Sequence, residues 1–116
     1  MVTKLLEDPV GFFEDHGGVH SASITAFAWE PGQARLKISL DDLDSDFIGI
    51  PGYAGERPVD LVFEEVSGLE CDREDFRDLV VHDLEIIPGR KQFALHMVCE
   101  PDGHLRWHCR RVSLAE

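Results

Sequence analysis

Leu36, Ile38 and Leu40 alternate with Arg35, Lys37 and Ser39. Successive side chains of a strand point to opposite faces, so residues 34–40 read as a strand with one face in a core and one in water. Weaker alternation predicts strands over 19–30, 59–66, 79–87, 92–100 and 104–114, with 69–71 continuing the third after Ser67-Gly68. In the first, Ile24, Ala26 and Ala28 are expected on one face and Phe27 and Trp29 on the other. Residues 8–18 break the alternation and read as one short helix. Asp8 caps it, Pro9 suits its first turn, Gly17 or Gly18 ends it, and Phe12 and Phe13 dock it. Pro31-Gly32, residues 88–91 and Pro101-Asp102-Gly103 mark turns. Residues 72–78 read as a loop or a single helical turn. The longest irregular stretch is 41–58, and loops of that length inside a compact domain are often functional. The expected fold is one domain, 1–116, mainly β (α+β). It is an antiparallel meander of six or seven strands, a sandwich or a strongly curved sheet, with one short N-terminal helix.

The final hairpin allows a register to be written down. A three-residue Pro-Asp-Gly loop pairs Glu100 with His104, and so Met97 with Trp107, His96 with His108 and Leu95 with Cys109. Phe93, Leu95, Met97 and Cys99 then share a face with Leu105, Trp107 and Cys109. A slip of one residue would set that row against charged side chains. His96 and His108 become cross-strand neighbours, their Cβ atoms roughly 5 Å apart. On the preceding strand, Val80, Leu84 and Ile86 are expected on the apolar face with His82 among them, which keeps His82 out of a histidine triad.

Charge narrows the partners. Among 116 residues there are 11 basic and 23 acidic side chains, a formal net charge of −12. Duplex nucleic acid and anionic membrane surfaces both require a basic footprint, so neither is expected. No apolar run approaches the about 18 residues of a transmembrane helix. The first eight residues, Met1-Val2-Thr3-Lys4-Leu5-Leu6-Glu7-Asp8, do not resemble an export signal, and a cytoplasmic location is expected. Three cysteines, Cys71, Cys99 and Cys109, are expected as free thiols, with no Cys-x-x-Cys arrangement among them.

Candidate chemistry lies in two histidine pairs and one acidic loop. His16 and His20 are spaced as helix-borne metal ligands, although Gly17 and Gly18 between them disfavour a helix. His96 and His108 are the second pair. A catalytic zinc takes three protein ligands and an open position, which two imidazoles do not complete. Asp42, Asp44 and Asp46 begin like a calcium loop, but Phe47 stands where its glycine belongs and Tyr53 where a bidentate glutamate belongs. With Asp41 and Tyr53 they are read instead as an acidic recognition surface. Arg106, Arg110 and Arg111 in the basic tail could hold one phosphate or carboxylate, or pair with nearby acids. No nucleophile elbow, P-loop or dinucleotide fingerprint is present, and no cofactor is expected.

Gly18-Val19-His20-Ser21-Ala22-Ser23-Ile24 leads into Leu36-x-Ile38, an acidic loop with Pro51-Gly52-Tyr53, and Leu61-Val62-Phe63-Glu64-Glu65-Val66. This order resembles small bacterial immunity-type proteins of polymorphic toxin systems and their uncharacterised relatives, over residues 10–66. Those proteins often carry an aromatic-His-Asp-Ala run entering the first strand, where this chain has Val19 for the aromatic and Ser21 for the aspartate. The resemblance implies a non-enzymatic cytoplasmic protein that neutralises a toxin, and it transfers no catalytic residue. The leading expectation is a non-enzymatic acidic module binding a basic protein. The alternatives are a metal binder or metal-dependent enzyme using His16, His20, His96 and His108, and a structural domain that forms a homodimer.

Overall fold

A computed structural model describes residues 3–116. Met1 and Val2, which begin the segment read above as lacking an export signal, lie outside them. The helix forms where its caps predict. Asp8 Oδ1 accepts the Gly11 N–H at 3.1 Å, Pro9 occupies the first turn, and α1 runs Pro9–Asp15. Phe13 is buried beneath it. Gly17 and Gly18 follow with φ of 63° and 64°, left-handed values that end the helix.

The rest of the framework is strand. β1 is Thr3–Leu5, β2 Ile24–Glu30, β3 Arg35–Leu40, β4 Val59–Glu64 and β5 Ser67–Cys71. β6 is Val80–Pro88, β7 Phe93–Glu100, β8 His104–Cys109 and β9 Arg111–Ala115. They form two antiparallel sheets, one ordered β1-β9-β4-β3-β2 and the other β5-β8-β7-β6. The fold is therefore mainly β, with two antiparallel sheets and one helix. It has more strands than the alternation predicted because β1 was not foreseen and because two expected strands each cross between sheets. The first crosses at Glu65, where φ is 54°. The second crosses at Arg110, whose N–H bonds the Glu64 carbonyl at 3.1 Å, so the two crossings lie side by side.

Leu36, Ile38, Leu61 and Phe63 of the first sheet meet Leu95, Met97, Leu105 and Trp107 of the second, all buried. Each such side chain contributes roughly 1.5–3 kcal/mol by leaving water. Phe63 stands edge-on to Trp107 with ring centroids 5.0 Å apart, pinning the sheets together.

Two expectations about faces and one about register need correction. In β2 a bulge at Thr25 reverses the parity, so Ile24, Phe27 and Trp29 lie across from Leu40, Ile38 and Leu36 while Ala26 and Ala28 are exposed. In β6 a bulge between Val81 and Asp83 puts Val81 and Leu84 inward and leaves His82 exposed rather than on the apolar face. In the final hairpin the pairing is Val98 with His104, Met97 with Leu105, His96 with Arg106 and Ala94 with His108. This register is two residues from the expected one. A shift of two keeps every side chain on its own face, so the apolar row could fix the parity but not the pairing. The loop spans five residues and closes with the Cys99 N–H on the Gly103 carbonyl at 2.8 Å. All three cysteines are free.

Candidate functional site

The 41–58 loop is ordered from within by its own acids. Asp41 Oδ1 accepts the Ser23 N–H at 2.8 Å and ties the loop to the start of β2. Asp42 is 2% exposed, a burial that a carboxylate tolerates only when its oxygens are satisfied. Its Oδ1 accepts the N–H groups of Asp44 and Arg57, at 3.0 and 3.1 Å, from the two ends of the loop. Its Oδ2 accepts the Tyr53 hydroxyl from the middle. That hydrogen bond to Asp42 is the main cause that pushes the Tyr53 phenol up to about 12, with desolvation adding to it. Leu43, fully buried, anchors the same end, its N–H on the Arg57 carbonyl at 2.9 Å.

Asp44 and Asp46 are the outer acids, and the histidines after α1 hold them. His16 Nδ1 lies 2.8 Å from Asp44 Oδ1, and His20 Nδ1 lies 3.3 Å from Asp46 Oδ1. Between them the Ser45 hydroxyl donates to the His20 carbonyl at 2.7 Å. Gly17 allows this docking: any Cβ there would overlap the Asp46 carboxylate, and its φ is left-handed. The His16–His20 motif is thus a brace for the acidic loop. Beyond the brace, Ile48 and Ile50 are 61% and 52% exposed, two of the five large hydrophobic side chains that stand exposed among the described residues. Gly49 between them and Gly52 after them have φ of 86° and 99°, values a side chain would disfavour. The result is a braced acidic loop with an apolar tip.

The residues expected as metal ligands are divided. His16 and His20 face Asp44 and Asp46, whereas His96 and His108 lie on β7 and β8. His96 stacks on His104 instead of His108, with centroids 5.7 Å apart and nitrogens at 3.5 Å. The exposed His82, missed as a neighbour of His20, approaches it edge-on at 5.7 Å and pairs with Glu100 at 3.0 Å. Among the described residues, no three His, Cys, Asp or Glu side chains stand where they could hold a metal ion.

The thiols are poorly suited to nucleophilic work. Burial pushes Cys99 up to about 11 and Cys109 up to about 12. Cys71 is also raised, by desolvation first and then by the Asp72 charge. Each shift lowers the thiolate fraction near neutral pH.

The sequence signals for this site were partial. Of the five residues read as a recognition surface, Asp41, Asp42 and Tyr53 are instead internal ties of the loop, with Asp42 buried, which leaves Asp44 and Asp46 as its outer acids. The exposed isoleucines at 48 and 50 were not singled out, although a local signal existed in two large hydrophobics amid glycines and acids.

No protein-family model matches the chain, and no curated protein matches it. Among solved structures the chain is similar to an uncharacterized protein from Neisseria gonorrhoeae, known from a crystal structure. The identity is 9%, the TM-score 0.56, and the match covers 100% of this chain and 99% of that one. At this identity the likeness establishes the shared fold. No helix among the described residues is long and apolar enough to cross a membrane.

Proposed function

We propose that this chain is a non-enzymatic, acidic protein-binding module that captures a basic protein through its 41–58 loop, as an immunity-type inhibitor captures a toxin. The observation that carries the reading is the braced loop. Asp44 and Asp46 stand beside an apolar tip formed by Ile48 and Ile50, and the Asp42 hydrogen bonds hold that arrangement without a partner. Preorganisation lowers the ordering cost of binding, and large apolar side chains left exposed beside charge are the kind of anchor a partner buries at an interface. The net charge of −12 steers a basic partner toward such a surface. The raised thiols leave the cysteines ill suited to catalysis.

The test is association with the product of a flanking gene, where a basic, toxin-like protein is expected. A complex is expected whose association rate falls about tenfold or more as salt rises from low to high ionic strength. Ile48→Asp should weaken it about a hundredfold, the scale of a hot-spot loss. A complex whose formation ignores salt and Ile48→Asp, or a flanking basic protein that does not bind, would contradict the reading.

A further inference from the structure

The cations of this acidic chain are unevenly matched. Arg35, Lys37, Arg57, Arg77 and Arg111 each hold a carboxylate. Lys4, Arg73, Arg90, Lys91, Arg106 and Arg110 form no ion pair among the described residues. Three of these, Arg90, Lys91 and Arg110, come together. Arg90 and Lys91 lie in the β6–β7 turn and Arg110 at the crossing from β8 to β9, and all line one groove of about 640 Å³ with Gln92 and His108. Its remaining wall is Ile87, Pro88, Gly89 and Ala94. In the register of the sheet, Ala94 is paired with both Ile87 and His108, so one row of the outer face forms the groove floor.

Two glycines shape it. A Cβ at Gly89 would come within 2.6 Å of the Gln92 carbonyl oxygen, so glycine lets the turn close and bring Arg90 and Lys91 over the row. A Cβ at Gly68 would come within 3.3 Å of His108 Nδ1, so glycine lets β5 approach the imidazole from the opposite side. The acids beside Arg110, Glu64 and Glu65 of the neighbouring crossing, pair with Arg111 instead, and one row farther along the face Glu85 lies across from His96 and Glu70 from Arg106.

We propose that this groove is a binding site for a small phosphate-bearing anion. Two guanidiniums and an ammonium without internal partners offer the forked and point-charge donors that phosphate oxygens accept, and His108 and Gln92 add polar contacts. The volume lies within the usual range for small-molecule sites, and the Ile87–Pro88–Ala94 wall suits a short apolar body attached to the phosphate. An extended polyanion is disfavoured, because the rest of the molecule is strongly negative and repels any length of chain beyond the groove, within a Debye length of about 8 Å. This site is independent of the 41–58 loop, and its failure would leave the loop reading untouched.

The experiment is a titration of the whole chain with inorganic pyrophosphate, followed by backbone amide NMR shifts at fixed ionic strength. Saturable shifts are expected at residues 87–94 and 108–110, with a dissociation constant below about 1 mM. The double substitution Arg90→Gln with Arg110→Gln lies at exposed positions and should weaken binding about tenfold or more. Arg77→Gln, which removes a cation outside the groove, should leave it within about twofold. Shifts that grow without saturation and scatter over every cation would overturn the proposal. So would equal binding by the double variant, or binding of a single-stranded oligonucleotide with none of pyrophosphate.

Discussion

Tyr53 is the single tyrosine of the chain, which makes its phenol directly observable. The folded state holds its proton to about pH 12 because Asp42 accepts it, while the unfolded chain releases it near pH 10. The stabilisation from this bond is therefore complete below about pH 10 and is lost as pH rises through about 12. Absorbance at 295 nm should titrate near 12 in native protein and near 10 in urea. A native midpoint near 10 would show that the loop is not closed by this bond. The thiols give a second reading at the same scale. Cys71 is exposed and should react with a disulfide reagent in the native state, whereas Cys99 and Cys109 should react only on unfolding. Thiol counting with and without denaturant checks this, and three equally fast thiols would contradict the buried pair.

The 41–58 loop behaves as an element although it holds little regular structure. Asp42→Ala removes the acceptor shared by Asp44, Tyr53 and Arg57 and should cost about 2–4 kcal/mol, with faster amide exchange across the loop. Urea denaturation and hydrogen exchange test the two halves of that statement. None of these three bonds was legible in the sequence, since each joins residues that periodicity does not relate. The same holds for His16 and Asp44, 28 positions apart. The core face of β3 was legible, because strict alternation of Leu36, Ile38 and Leu40 leaves only one way to bury it, but Ser39, expected in water, is buried with its hydroxyl on Asp60 Oδ1. The bulges at Thr25 and His82 were not, since one extra residue reverses parity without any turn residue to mark it. At 104–114 a signal was present: the consecutive exposed pair Arg110-Arg111 breaks the alternation where the chain changes sheet.

At the scale of the whole molecule, the two sheets are joined through the Phe63–Trp107 contact, and the two substitutions there should differ. Phe63→Ala opens a cavity between the sheets and should cost about 3–5 kcal/mol. Trp107→Phe also loses volume, but the buried Trp107 Nε1–H has no hydrogen-bond partner among the described residues, so its removal offsets the loss and the change should stay within about 1.5 kcal/mol. Urea unfolding followed by circular dichroism would separate them, and equal losses would contradict this account of the interface. Charge is also arranged at this scale. Three of the cations without an ion pair gather at the β6–β7 turn, while the acids Asp44 and Asp46 precede the isoleucine tip of a different loop. A basic protein and a small anion would thus meet different parts of one surface. The most direct measurement of the central claim is hydrogen exchange of the chain mixed with the basic partner expected from a flanking gene. Protection confined to residues 43–56, and abolished by Ile48→Asp with Ile50→Asp, is the predicted result. Protection that falls elsewhere while this loop exchanges as in the free chain would contradict it.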